Sequence, residues 1–216
     1  MSGFLAQADD VLRGRPGLGA GRLAGSVALC GACYGGVMGT FGGLAGDRPW
    51  QVIFSAAKVP LLLLATLALS LPSFFVLNTL LGVRADFARA LRVLVAAQAG
   101  LTITLVALAP VTLFWYASSA DYQTAILFNA LMFAVASLGA QVIVRRGYRP
   151  LIARSRKHLW LLRTWVVVYA FVGIQMGWVL RPFVGDPKQP VQFFRADSWG
   201  NAYVVVARIV WGVLTR

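Results

Sequence analysis

Residues 145–163, RRGYRPLIARSRKHLWLLR, place seven Lys or Arg and no acid between two long apolar segments. Loop positive charge is retained on the cytoplasmic side when a membrane protein inserts. The run therefore assigns the end of the segment before it, 122–144, and the start of the segment after it, 164–180, to the cytoplasm. Every other element of the chain takes its side of the membrane from this one.

The composition supports a membrane reading. The 216 residues are 59% hydrophobic and 12% charged, with a mean hydropathy of +0.73, which does not describe a soluble surface. Lys and Arg number 20 against 7 Asp and no Glu, a formal net charge of +13. Most of these cations lie in short connections beside apolar spans. Topology and anionic headgroups account for them there, and no nucleic-acid partner is implied. Asp9 and Asp10 interrupt the first 22 residues, so no continuous apolar core of a signal peptide is present and the first span is expected to remain.

Five spans follow at the ~20-residue length a hydrocarbon core requires, at 23–45, 59–82, 93–117, 122–144 and 164–180. Residues 4–12 have the spacing of a short amphipathic helix on the cytoplasmic surface, joined to the first span by the Gly-rich basic connector 13–22. Residues 47–58, with Pro49 at a helix start, read as a second interfacial helix on the outer face. The basic connector 83–92 belongs inside. After the fifth span, 181–201 is too polar for the membrane and is expected as an ordered outer loop. Residues 202–214 are short and carry Arg208, which favours an interfacial helix over a sixth span. The fold class is thus all-α, a polytopic membrane bundle of about five transmembrane helices plus interfacial amphipathic helices. Its parts are a cytoplasmic segment 1–22, the bundle 23–180, and an outer-face loop with its terminal helix 181–216.

Within the first span, Gly31, Gly35, Gly39 and Gly43 recur every four residues. Small-xxx-small spacing lets two backbones approach and recover dispersion where the hydrophobic effect offers nothing between helices in lipid. The partner could lie in this chain or in another copy. Cys30 and Cys33 share this span and are expected to be small packing residues rather than a redox pair.

Polar side chains inside spans are costly, and here they are all neutral: Asn78, Gln98, Asn129, Ser137, Gln141 and Gln175. Interhelical hydrogen bonding is the expected use, with Asn129 and Gln175 as first candidates for lining a cavity. With no carboxylate in any span, the usual proton relay or Na⁺ site is missing. With His158 the single histidine and no Glu, no metal cluster of the common spacings can form. His158 itself is expected to face headgroups as a titratable member of the basic run. No catalytic constellation and no cofactor motif is recognisable. The segment 181–203 combines Arg181, Phe183, Phe194, Arg195 and Trp199 with stiffening prolines, a composition typical of binding hot spots, and is the candidate surface for a partner or ligand.

The stretches QMGWVLRPFVGDP (175–187), FFRADSWGNAY (193–203) and KVPLLLLATLALSLPSFFVLNTLLG (58–82) resemble an uncharacterised group of bacterial multi-pass inner-membrane proteins. The five-span topology, and nothing more, is similar to that of Yip1-type proteins. The resemblance implies a bacterial inner membrane and no activity, substrate or cofactor. The expected role is a non-enzymatic membrane component that binds membrane lipid and a membrane-protein partner or a second copy of itself. A channel or small-solute transporter, with the neutral polar residues lining a path, is the alternative.

Overall fold

A computed structural model describes residues 2–14, 19–195 and 204, and among these every regular element is a helix. In chain order they are α1 (Ser2–Arg13), α2 (Ala20–Gly39), α3 (Arg48–Leu80), a single 3-10 turn (Arg84–Asp86), α4 (Phe87–Ser118), α5 (Tyr122–Arg154) and α6 (Lys157–Leu180). Four of them, α3, α4 with its preceding turn, α5 and α6, are long and apolar enough to cross a membrane. The 33 residues of α3 or α5 reach about 50 Å at 1.5 Å per residue. That exceeds a ~30 Å hydrocarbon core, so their ends emerge from it. The expected first span, α2, falls outside this set because Arg22 and its glycines dilute its apolar surface.

Sequence expectation and structure part at residues 47–58. No separate surface helix forms there. Instead α3 runs unbroken from Arg48 through Lys58, Pro60 and Pro72. The polar residues that suggest an interface, Gln51, Ser55 and Lys58, are buried and point inward. Ser55 Oγ and Lys58 Nζ donate to backbone carbonyls of the segment after α6. The basic run also departs from a simple loop, because α5 continues to Arg154 and α6 begins at Lys157. Tyr148, Leu151 and Leu161 are fully buried at this bend and join the two helix ends. His158 is buried with them, contrary to the headgroup-facing role expected of it, and its Nε2 lies 3.2 Å from Asp86 Oδ2.

The helices pack in the lateral order α6, α3, α2, α4, α5, with α2 at the centre and only slight contact between α5 and α6. Two apolar clusters fill the interior. One, around Leu63, Leu94, Ile143 and Leu161, lies toward the basic end of the bundle. The other, around Tyr34, Phe41, Leu105 and Met132, lies toward the opposite end. The amphipathic α1 is docked rather than loose: Ala8 and Val11 are buried, the helix packs on α4, and Gln7 Nε2 donates to Ser26 Oγ at 2.7 Å.

The spaced glycines meet a helix of the same chain. A Cβ on Gly39 would sit 2.5 Å from Val52 Cα, and one on Gly31 would sit 3.3 Å from Pro60 N. At Gly35 it would overlap the Ser55 carbonyl oxygen. The facing surface is therefore α3. Gly43 does not share this role: α2 ends at Gly39, and Gly43 lies in the following turn at φ +91° with no atom near its Cα substituent position.

Candidate functional site

At the end of the bundle opposite the basic run, Asp121 opens α5 by accepting the Thr124 backbone N–H at 2.8 Å. That hydrogen bond, with a further one from the Thr124 side chain, holds the exposed carboxyl below the ordinary carboxylate range. The cap fixes the start of the helix and so the row Tyr122, Ile126, Asn129, Ala130 and Phe133, which helical spacing places on one face. Over those 11 positions the row descends about 16 Å from the helix end. Met38 of α2 and Leu62 of α3 stand opposite it. Residues 181–184 and Arg195 close over the top, leaving a cavity of about 410 Å³.

The roof is held by its own backbone. Lys58 Nζ donates to Pro182 O at 2.7 Å, Ser55 Oγ to Phe183 O at 2.5 Å, Tyr122 OH to Val184 O at 3.3 Å, and Arg48 Nη2 to Asp186 O at 3.0 Å. Four carbonyls of residues 182–186 thus accept from side chains of α3 and α5, which ties an otherwise irregular segment across the helix ends. Lys58 is fully buried beneath it, with Nζ 4.9 Å from the Phe193 ring centroid.

Asn129 forms the one polar patch deep in the wall. Its Oδ1 accepts from Tyr34 OH at 3.2 Å, and its Nδ2 donates to Tyr116 OH at 2.6 Å and to Ala125 O at 2.8 Å. Tyr34 OH also lies 3.3 Å from Thr112 Oγ1. The amide therefore knots α2, α4 and α5 together behind the cavity. At the mouth the chemistry changes. Arg195 Nη2 reaches Tyr122 OH at 3.4 Å, and the Arg181 guanidinium stacks on Trp178 at 3.4 Å from the ring centroid. No carboxylate lines the cavity among the described residues. The result is an apolar cleft with two arginines at its entrance.

The cavity thus unites residues that the sequence offers as two unrelated groups: Asn129 from a span, and Arg181, Phe183 and Arg195 from the loop. Phe194 is exposed and packs edge-on against Phe193, with ring centroids 4.7 Å apart. Gln175 is half-buried on α6 and does not line this cavity. Trp199 and the segment 202–214 lie outside the described residues, apart from the helical Val204. Tyr122, Lys58 and Ser55 are missed by sequence reasoning. An aromatic one position after a capping Asp is a usable signal for Tyr122; for Lys58 and Ser55 no local signal exists.

Three other polar side chains of the long helices make hydrogen bonds away from this cavity. Gln98 Nε2 donates to Leu63 O at 2.9 Å and to Tyr169 OH at 2.7 Å, joining α4 to α3 and α6. Ser70 Oγ and Asn78 Nδ2 donate to carbonyls one turn back in α3. No family model matches this chain, and neither a curated protein nor a solved structure shows detectable similarity to it.

Proposed function

We propose that this chain is a non-enzymatic integral membrane component that binds an anionic lipid in the cleft between α3 and α5. The observation that carries the reading is the composition of the cleft along its length: apolar walls formed by Met38, Leu62, Ile126 and Phe133, and two arginines at the mouth. An acyl chain fits the first part and a phosphate or carboxylate the second, since guanidinium groups pair with such anions in a forked geometry. The volume of about 410 Å³ lies in the range of small-molecule sites. Ile126 and Ala130 are exposed on the outer flank of the wall, which gives a lipid lateral entry from the bilayer.

In this reading α2 is a fifth span, shielded from lipid by α3 and α4 rather than by its own apolar surface. The reading puts the N-terminus and the basic end in the cytoplasm and turns the cleft to the outer leaflet of a bacterial inner membrane, and the charge asymmetry supports it. Lipid binding is favoured over solute conduction because Gln98 and Asn129 are engaged in hydrogen bonds that join helices rather than facing a shared path.

The test is photocrosslinking of the full chain with phosphatidylglycerol and phosphatidylcholine that carry a diazirine on the acyl chain. Crosslinks on Leu62, Ile126 or Phe133 that favour phosphatidylglycerol, and that disappear in Ala130→Trp while the fold is retained, are the expected outcome. Crosslinks spread around the bundle perimeter and indifferent to Ala130→Trp sink the proposal.

A further inference from the structure

At the basic end a second depression of about 450 Å³ lies between the start of α4 and the end of α5, formed by Ala85, Asp86, Ala88, Arg89, Arg92 and Arg154. We propose that this groove is a headgroup site for a membrane lipid carrying two negative charges. It is independent of the cleft at the opposite end.

The groove has a definite construction. Asp86, Arg89 and Arg92 follow one another at three-residue spacing and so form one ridge at the start of α4. Arg154 approaches from α5, and its Nη1 is fixed by Asp86 Oδ1 at 3.1 Å. The other oxygen, Oδ2, faces the buried His158 Nε2 at 3.2 Å. Both carboxylate oxygens are thus committed to positioning Arg154 and the α5–α6 bend. Arg89 and Arg92 remain exposed on the opposite wall, and no acid other than Asp86 lines the groove. Three arginines against one aspartate leave two positive charges. Ala85 and Ala88 also line the groove, and their short side chains leave room for a phosphate beside the arginines.

Depth selects a lipid as the source of that phosphate. Counting the ~20 residues of a hydrocarbon core back from the interfacial Trp115 places Arg92 about one turn and Arg89 about two turns beyond the core boundary. Lipid phosphates lie at that level, and arginine side chains extend toward them along their apolar stems. Arg145, Arg146 and Arg149 lie toward the same end of the bundle and are exposed, but they do not line the groove. General attraction to an anionic surface and a built site therefore make different predictions for the two sets of arginines.

Native mass spectrometry of the detergent-solubilised full chain separates them, with cardiolipin, phosphatidylglycerol and phosphatidylcholine of matched acyl chains as probes. The expected result is a cardiolipin preference over phosphatidylglycerol that falls roughly fivefold for each of Arg89→Gln and Arg92→Gln. Arg145→Gln and Arg146→Gln should leave it unchanged. Arg89 and Arg92 are both exposed, so melting of these variants without lipid should match wild type. Should either glutamine variant melt early, the double variant Arg89→Lys, Arg92→Lys keeps the charge and removes the fork, and it should still lose part of the preference. The proposal is overturned by equal binding of the three lipids, by the same loss from Arg145→Gln and Arg146→Gln, or by full retention in the lysine variant. Glycerol phosphate that displaces cardiolipin with the same arginine dependence would assign the groove to a soluble anion and overturn the lipid assignment.

Discussion

Replacing Gly35 by alanine should force α2 and α3 apart. The added Cβ would overlap the Ser55 carbonyl oxygen and sit 2.9 Å from its carbonyl carbon and 3.0 Å from Ala56 Cα. These are backbone atoms of a helix and cannot rotate away as the end of a side chain can. Relief requires the whole contact to open by about 0.5–1 Å to regain ordinary carbon contact distances. Overpacking of this kind costs about 1–3 kcal/mol. The gain in helix propensity from Gly to Ala, up to about 1 kcal/mol, offsets part of it. Gly36→Ala is the internal control, because its Cβ would meet Val52 Cγ1 at an unstrained 3.8 Å and Ala56 Cβ at 4.0 Å. It has the propensity gain and no clash. Equilibrium unfolding of both variants by SDS titration of mixed micelles, followed by circular dichroism, gives the comparison. Gly35→Ala should be the less stable by about 1–3 kcal/mol, and equal stability would falsify the close α2–α3 contact. Since Ser55 also holds the roof through Phe183 O, the same variant should weaken lipid crosslinking in the cleft.

Three further outcomes follow from individual side chains. Lys58 is fully buried under the roof while Lys188 is exposed on it, so a water-soluble amine reagent should modify Lys188 and spare Lys58 in the folded protein; peptide mapping that finds both labelled at similar rates contradicts the buried position. Asp86→Asn removes a charged acceptor from Arg154 and from the buried His158, and should lower unfolding stability by about 1–3 kcal/mol, which an unchanged unfolding midpoint would refute. Asp121 has a folded-state pKa held below its ordinary 3.8 by the Thr124 hydrogen bonds. A depressed carboxylate stabilises the fold above its unfolded pKa and loses that contribution as pH falls through the folded value. Wild type should thus exceed Asp121→Ala in stability at neutral pH and converge with it as pH falls through the folded value; a constant gap across that range would show that the cap does not act through its charge.

Chain composition and local spacing alone determine that this protein is helical, where its long apolar stretches lie, which connections are basic, and that one helix has a row of glycines. Each is a local property: a span is set by the length of apolar chain that covers a hydrocarbon core, and a glycine row by a four-residue repeat. Which face of each helix turns inward is not local. In lipid an outward side chain is as apolar as a buried one, so the contrast that reveals the core face of a soluble helix is lost. Leu127 is 69% exposed and Leu105 is fully buried, yet nothing in their neighbourhoods distinguishes them. For the same reason residues 47–58 read as an interface from their polar content, although Gln51, Ser55 and Lys58 face the roof. His158 reads as exposed from its basic neighbours, although it is buried beside Asp86. Only the tertiary structure identifies α3 as the partner of the glycines and brings Asn129 and Arg195 to one cavity. Such contacts join residues far apart in sequence, and they depend on helix rotations that packing sets and hydropathy does not encode.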